Sequence, residues 1–256
     1  KDASVMMAMD LKSMAQKAGL DGDAGHQISQ KLADLLKGGL EGDAAKLAEQ
    51  IVYNPSESGL NFHEKFYFFA TPHANAWGFV AELADEGKLE NLMKVLHQEQ
   101  IATDIKTEGG CQWVQLGQTL CAFNKGTFLW LQNKKGDAGN IKGMLFSLMR
   151  QKDGEGYASL PEFQTISQGT EDIHATIDVS ILPDRFMTPL RMGLPGDIRL
   201  QDIRYQVVAN FEKGHLSVHS QLLTQNQKIK SFISEMNQVT THISGKYMDY
   251  FPANTF

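Results

Sequence analysis

FYFFATPHANAWGFVAELADEGKLENLMKVL, Phe66 to Leu96, reads as a β-hairpin running directly into an amphipathic helix. Lys65 to Thr71 and Ala76 to Leu83 are apolar runs rich in aromatic residues, and they flank a polar turn with Pro72, His73 and Asn75. The helix, Lys88 to Gln98, places Leu89, Leu92, Met93 and Leu96 at i, i+3, i+4 and i+7, one apolar stripe. Glu82, Asp85 and Glu86 stand at the strand-to-helix junction, where N-capping and the helix dipole favour carboxylates.

The same order returns at RYQVVANFEKGHLSVHSQLLTQNQKIKSFISEM, Arg204 to Met236. A two-residue turn at Lys213-Gly214 pairs Phe211 with Leu216, Ala209 with Val218, Val207 with Ser220 and Tyr205 with Leu222. Turn position and apolar alternation thus agree on one register. The next helix sets Ile229, Phe232, Ile233 and Met236 on its inner stripe. KLENLMKVL aligned with KIKSFISEM is the closest match between the blocks, and together they suggest a degenerate duplication.

Outward from these blocks, Ala3 to Met9 is a short apolar run without helical period, a buried strand. Asp10 caps a helix over Leu11 to Ala18 that Gly19 ends. His26 to Lys37 puts Ile28, Leu32, Leu35 and Leu36 on one inward side, and Asp43 caps Ala44 to Val52, stopped by Asn54-Pro55. Three strands are expected between Ile101 and Gln132, with turns at Gly109-Gly110, Gly117-Gln118 and Asn124-Lys125-Gly126. A helix from Ile141 to Arg150 turns Met144, Leu145 and Leu148 inward. The polar, glycine-rich Gln151 to Gly156 reads as a boundary or a long connection, and as a boundary it divides the chain into residues 1–152 and 153–256. Beyond it, Ile173 to Ile181 alternates Ile173, Ala175, Ile177, Val179 and Ile181 with His174, Thr176, Asp178 and Ser180, a strand with one buried and one wet face. The expected class is α+β: antiparallel sheets built from β-hairpins with packed amphipathic helices, in two related halves.

Composition narrows the function. The 256 residues are 42% hydrophobic and 21% charged, as in an ordinary folded protein. A net charge of −6 with scattered Lys and Arg argues against a nucleic-acid surface or an anionic membrane surface. No apolar stretch is long enough to cross a bilayer. The opening Lys1-Asp2 suggests a processed or trimmed chain. The two cysteines, Cys111 and Cys121, are too few for a disulfide scaffold. With a turn at Gly117-Gln118, Cys121 opposes Val114 and points away from the face of Cys111, so both are expected to be reduced structural residues.

Chemistry is hard to find. His215 and His219 lie on a strand, with His174 and Asp178 in the same half, and solvated histidines explain them better than a metal site. Asp21-Gly22-Asp23-Ala24-Gly25 lacks the acidic residue that closes a calcium loop, since Leu32 holds that position, and is read as a turn. Gly136-Asp137-Ala138-Gly139 lacks a phosphate-loop pattern. No nucleophile elbow occurs, and neither cysteine has a cationic neighbour in sequence. No catalytic, metal or cofactor residue is therefore nominated. The rings of Tyr67, Phe69, Trp77, Trp113 and Trp130 are the candidate binding face; the alternative is a central strand covered on both sides.

KDASVMMAMDLKSMAQKAGL (residues 1–20), LNFHEKFYFFATP (60–72), NFEKGHLSVHSQLL (210–223) and GKYMDYFPANTF (245–256) together resemble a domain-of-unknown-function family of predicted lipoproteins from Bacteroides-type bacteria. The resemblance covers most of the chain and rests on structural motifs. It implies a secreted precursor held in the cell envelope, periplasmic or surface-exposed, through a lipid anchor outside this sequence. It brings no catalytic residues. The expectation is a non-enzymatic envelope lipoprotein ectodomain that binds or scaffolds an envelope protein or glycan, without cofactor or nucleic acid. The alternatives are a hydrolase or carbohydrate-processing enzyme completed outside this fragment, and a periplasmic ligand carrier, which would need a deep apolar pocket.

Overall fold

The strand-rich segments form one ten-stranded sheet, antiparallel throughout, in the order β10-β9-β8-β1-β2-β3-β7-β6-β5-β4. A computed structural model describes residues 3–20, 22–72, 75–133, 139–152, 154–181, 185 and 203–239. The turn residue His73, most of the 136–139 loop and the aromatic tail from 247 to 256 lie outside them. The strands are β1 Val5–Met9, β2 Phe66–Thr71, β3 Ala76–Glu82, β4 Lys106–Glu108, β5 Cys111–Leu116, β6 Thr119–Asn124, β7 Thr127–Asn133, β8 Ile173–Asp178, β9 Ile203–Glu212 and β10 His215–Thr224. Among the described residues the helices are α1 Leu11–Lys17, α2 Asp23–Lys37, α3 Gly42–Tyr53, α4 Glu86–Gln98, α5 Gly139–Met149, α6 Pro161–Gln168 and α7 Gln227–Val239. No helix of the described residues is long and apolar enough to cross a membrane.

Both hairpins form as expected. β9 and β10 pair Phe211 with Leu216, Ala209 with Val218, Val207 with Ser220 and Tyr205 with Leu222. The Asp85 side chain accepts a hydrogen bond from Lys88 N (3.0 Å) to start α4, whose Leu89 and Met93 are buried. Asp10 caps α1 by accepting from Ser13 N (2.8 Å). In α7, Ile229 is fully buried and Phe232 half-buried, while the side chains of Ile233 and Met236 lie outside the description. Cys121 faces Val114 across β5–β6, and both thiols are free.

Five expectations need correction. Four strands, not three, occupy the stretch after α4, because the Gly109-Gly110 turn returns β5 against the short β4. Helix α3 begins after Glu41, and Asp43 sits in its first turn rather than at the cap. The Ile28, Leu32 and Leu35 stripe of α2 is exposed, Leu35 by 75%; α2 packs on α3 and buries Ala33 instead. The strand from Ile173 ends at Asp178, where Val179–Ile181 tightens into a 3-10 turn. Finally, the face of β8 expected to be wet is covered: His174 is 3% exposed and Thr176 1%. Alternation identified the faces correctly; which face meets solvent depends on the helices laid over it.

β1 is the key strand. It hydrogen-bonds to β2 on one side and β8 on the other, so residues before and after Gln151–Gly156 share one sheet. Directly opposed residues of antiparallel strands share a face. One face therefore carries Met6, Ala8, Tyr67, Phe69, Val80, Leu129, Ala122, Trp113, His174 and Gln206; α5 and α6 pack on it. The other carries Phe79, Phe128, Trp130, Cys121 and Val114, with α4 over part of it. Layers of this type are how a sheet this wide removes both apolar faces from water.

Candidate functional site

A cleft of about 980 Å³ opens on the α5–α6 face, where the two helices leave the middle of the sheet uncovered. Its floor is Met6 of β1, Tyr67 and Phe69 of β2, Val80 of β3 and Leu129 of β7. One wall is α5, through Met144, Leu148 and Met149; the other is Tyr157 and Phe163. The lining is mainly apolar, and among the described residues Lys152 is its only charged one.

Local sequence shapes this floor. Gly78 faces Phe69 across β2–β3, and a Cβ there would approach the Phe69 Cζ to 3.1 Å and the Trp130 carbonyl oxygen to 2.2 Å. The missing side chain lets the Phe69 ring lie over the neighbouring strand. Tyr67 stacks towards Phe163 with ring centroids 5.2 Å apart, and Phe163 meets Tyr157 edge-on at 6.4 Å. Burial, helped by the Glu64 charge, pushes the Tyr67 hydroxyl pKa above its ordinary value, so it stays a neutral donor. Tyr157 is fixed from behind: Arg204 Nη1 donates to its hydroxyl at 2.7 Å, and Thr176 Oγ1 lies 2.9 Å from the same oxygen. A ligand-sized, apolar, preformed hollow with few polar groups is the usual form of a small-molecule site.

The five nominated aromatics divide between the two faces. Tyr67 and Phe69 line the cleft. Trp113 shares their face but is 6% exposed under α5, with Lys142 Nζ 4.6 Å from its ring centroid. Trp77 and Trp130 lie on the opposite face, rings 4.6 Å apart, with Trp77 43% exposed. Sequence reasoning missed Leu129, Met144, Leu148, Tyr157 and Phe163. The periodicity of α5 makes Met144 and Leu148 ordinary core positions, Leu129 lies in a strand with no signal that sets it apart, and Tyr157 and Phe163 follow the polar segment where strand and helix signals are weakest.

Two buried polar groups lie nearby on the same sheet without lining the cleft. Gln221 donates to Gln206, and Gln206 Nε2 donates to His174 Nε2 at 2.6 Å. That leaves the His174 proton on Nδ1, which faces Glu171 Oε2 at 3.6 Å. Burial lowers the His174 pKa; the Glu171 charge opposes this and Lys65 adds to it. Asp172, fully buried, accepts from Ser13 Oγ at 2.6 Å, Lys17 Nζ at 2.8 Å and Phe211 N at 2.7 Å. Burial alone would raise its pKa, but those hydrogen bonds and the Lys17 charge hold it below the ordinary carboxylate range. These groups join α1, β8 and β9. Among the described residues no cluster of three or more His, Cys, Asp or Glu could hold a metal ion. His215 and His219 are exposed on β10, beside Glu212 and Ser217 respectively.

A family model of a domain of unknown function, DUF4836, matches residues 1–256. None of the curated proteins matches the chain. Among solved structures, crystal form I of TP0453 is similar at 12% identity and a TM-score of 0.47, covering 95% of this chain and 85% of that one. Crystal form III of TP0453 is similar at 14% identity and a TM-score of 0.46, covering 95% and 86%.

Proposed function

The chain belongs to the DUF4836 family, and we propose that it is a ligand-binding module whose cleft takes up an amphipathic molecule with a long apolar chain. The apolar cleft between α5 and α6 carries this reading. Burial there removes the chain from water at about 0.8 kcal/mol per methylene. The Tyr67 hydroxyl and the rim groups Gln151 and Lys152 offer hydrogen bonds and one positive charge to a polar or acidic head. Of the readings open from sequence, a cleft floored by the aromatic strand favours a carrier over a scaffold. Among the described residues it also brings together no convergent titratable groups of the kind that would favour a hydrolase.

The setting we propose is the cell envelope, periplasmic or surface-exposed, with attachment through a lipid anchor outside this sequence. We read the repeated hairpin-then-helix order as a trace of duplication that produced two related halves, 1–152 and 153–256. An envelope protein or glycan partner would then receive or supply the ligand.

The test is a fluorescence titration with cis-parinaric acid, followed by saturated fatty acids of increasing length as competitors. Saturable one-to-one binding is expected, tightening about fourfold per added methylene until the cleft is filled. Met144→Trp, which fills the cleft from its α5 wall, should abolish binding while leaving the circular dichroism spectrum unchanged. Absence of binding by the native protein, or equal affinity in Met144→Trp, would overturn the proposal.

A further inference from the structure

The two edges of the sheet are built differently. At one end, β4 is three residues long, exposed at each of them, and carries Lys106 and Glu108. Short length and charge are the usual guards against pairing with another chain. At the other end, β10 is ten residues long and, among the described residues, pairs only with β9. Its sequence, HLSVHSQLLT, contains no Lys, Arg, Asp, Glu or Pro. Its register with β9 is unbroken from His215 to Thr224, so no bulge twists the edge away.

The side chains on one face of this edge are also unusual. Leu216 and Val218 are each 54% exposed, and Phe211, opposite Leu216, is 37% exposed. A solvent-facing hairpin normally alternates apolar and polar residues so that its wet face is polar. Here an apolar strip borders a row of backbone groups that no other described strand pairs, and pairing with another strand would satisfy both together.

We propose that β10 pairs antiparallel with β10 of a second copy of this chain, joining two sheets across a two-fold axis. Self-pairing suits this edge because it brings no formal charge against its like. A register centred on Ser220 places Val218 opposite Leu222 and Leu216 opposite Thr224 of the second copy, keeping apolar residues on one face. Alternate residues of an edge strand point their N–H and C=O outward, so two ten-residue edges form about ten new hydrogen bonds. β10 lies at the far margin from the strands that floor the cleft, so both copies keep their clefts open and the dimer does not rest on the ligand reading.

The experiment is sedimentation velocity on the full chain between about 1 and 100 μM, paired with amide hydrogen exchange of β10. A concentration-dependent dimer is expected, with alternate amides of β10 becoming protected as it forms. Both variants change exposed side chains: Ser220→Lys brings two ammonium groups together on the axis, and Val218→Lys sets a charge against Leu222 of the second copy in the apolar strip. Each should weaken the dimer about tenfold or more, while Thr107→Lys on the opposite edge should leave it unchanged. A monomer throughout the range would overturn the proposal. So would β10 amides protected independently of concentration, or a dimer that both lysine variants leave intact.

Discussion

Asp172→Asn removes one charge from the junction of α1, β8 and β9 with almost no change in shape. In the native protein both carboxylate oxygens are acceptors: Oδ1 takes Ser13 Oγ and Lys17 Nζ, and Oδ2 takes Lys17 Nζ and Phe211 N. An asparagine presents one oxygen and one amide donor. Whichever way it turns, an N–H faces another donor inside a fully buried site. A buried donor left unsatisfied costs about 1–3 kcal/mol, and losing the charge-assisted bond from a partly exposed Lys17 adds to it, so about 2–4 kcal/mol is expected. For a chain of this size that corresponds to a fall of about 5–12 °C in Tm. Urea denaturation followed by tryptophan fluorescence measures it. Lys17→Met, alone and combined with Asp172→Asn, isolates the ion pair. The pH dependence supplies an independent check. The native Asp172 pKa lies below its ordinary value of 3.8, so its contribution is complete above that value and is lost as pH falls through the lower native pKa. The stability gap between native protein and variant should therefore be constant near neutrality and shrink below about pH 4. A gap under about 0.5 kcal/mol at pH 7, or one that persists unchanged in acid, would refute the reasoning.

Three further outcomes follow from other sites. His174 has a pKa below its ordinary 6.5 when folded, so below that pH the unfolded chain takes the proton first and stability declines until the native pKa is passed; His174→Gln should flatten this slope in urea midpoints taken from pH 7.5 to 5. Burial pushes the Cys121 thiol up to about 12 and raises that of Cys111, so neither should react with Ellman's reagent at pH 8 until the protein is unfolded, and rapid native reaction would contradict their placement. Gly59 has φ +88° and an added Cβ would lie 2.4 Å from the Asp85 carbonyl oxygen, so Gly59→Ala should cost about 2–4 kcal/mol by thermal denaturation, whereas an unchanged Tm would rule out this close approach.

Residues close in sequence revealed most of the local structure. The turn at Lys213-Gly214 set the β9–β10 register, Asp10 and Asp85 marked two helix starts, and the Gly117-Gln118 turn placed Cys121 against Val114. Each depends on neighbours within a dozen positions, where turn geometry, capping and side-chain period leave few choices. The hairpin-to-helix block at Phe66–Leu96 likewise folds as its own pattern requires. Less was legible of the cleft. Tyr67 and Phe69 were singled out with three tryptophans, of which one is buried under α5 and two belong to the other face.

Tertiary structure decided what sits beside and above these elements. Seven residues of apolar chain, Ala3 to Met9, identify a strand, but only long-range pairing puts β1 between β2 and β8 and joins both parts of the chain in one sheet. The alternation at Ile173–Asp178 separates two faces without saying which is covered; α6 and the Tyr157 turn bury His174 and Thr176. The stripe on α2 is amphipathic whether or not anything packs against it, and here its Ile28, Leu32 and Leu35 remain in solvent. The cleft exists because α5 and α6 settle apart on a shared sheet, and its lining joins residues more than a hundred positions distant, Met6 with Leu129 and Phe163. Periodicity is a property of one segment and is written in it; burial and cavities are properties of pairs of surfaces, and they appear only when the whole chain has packed.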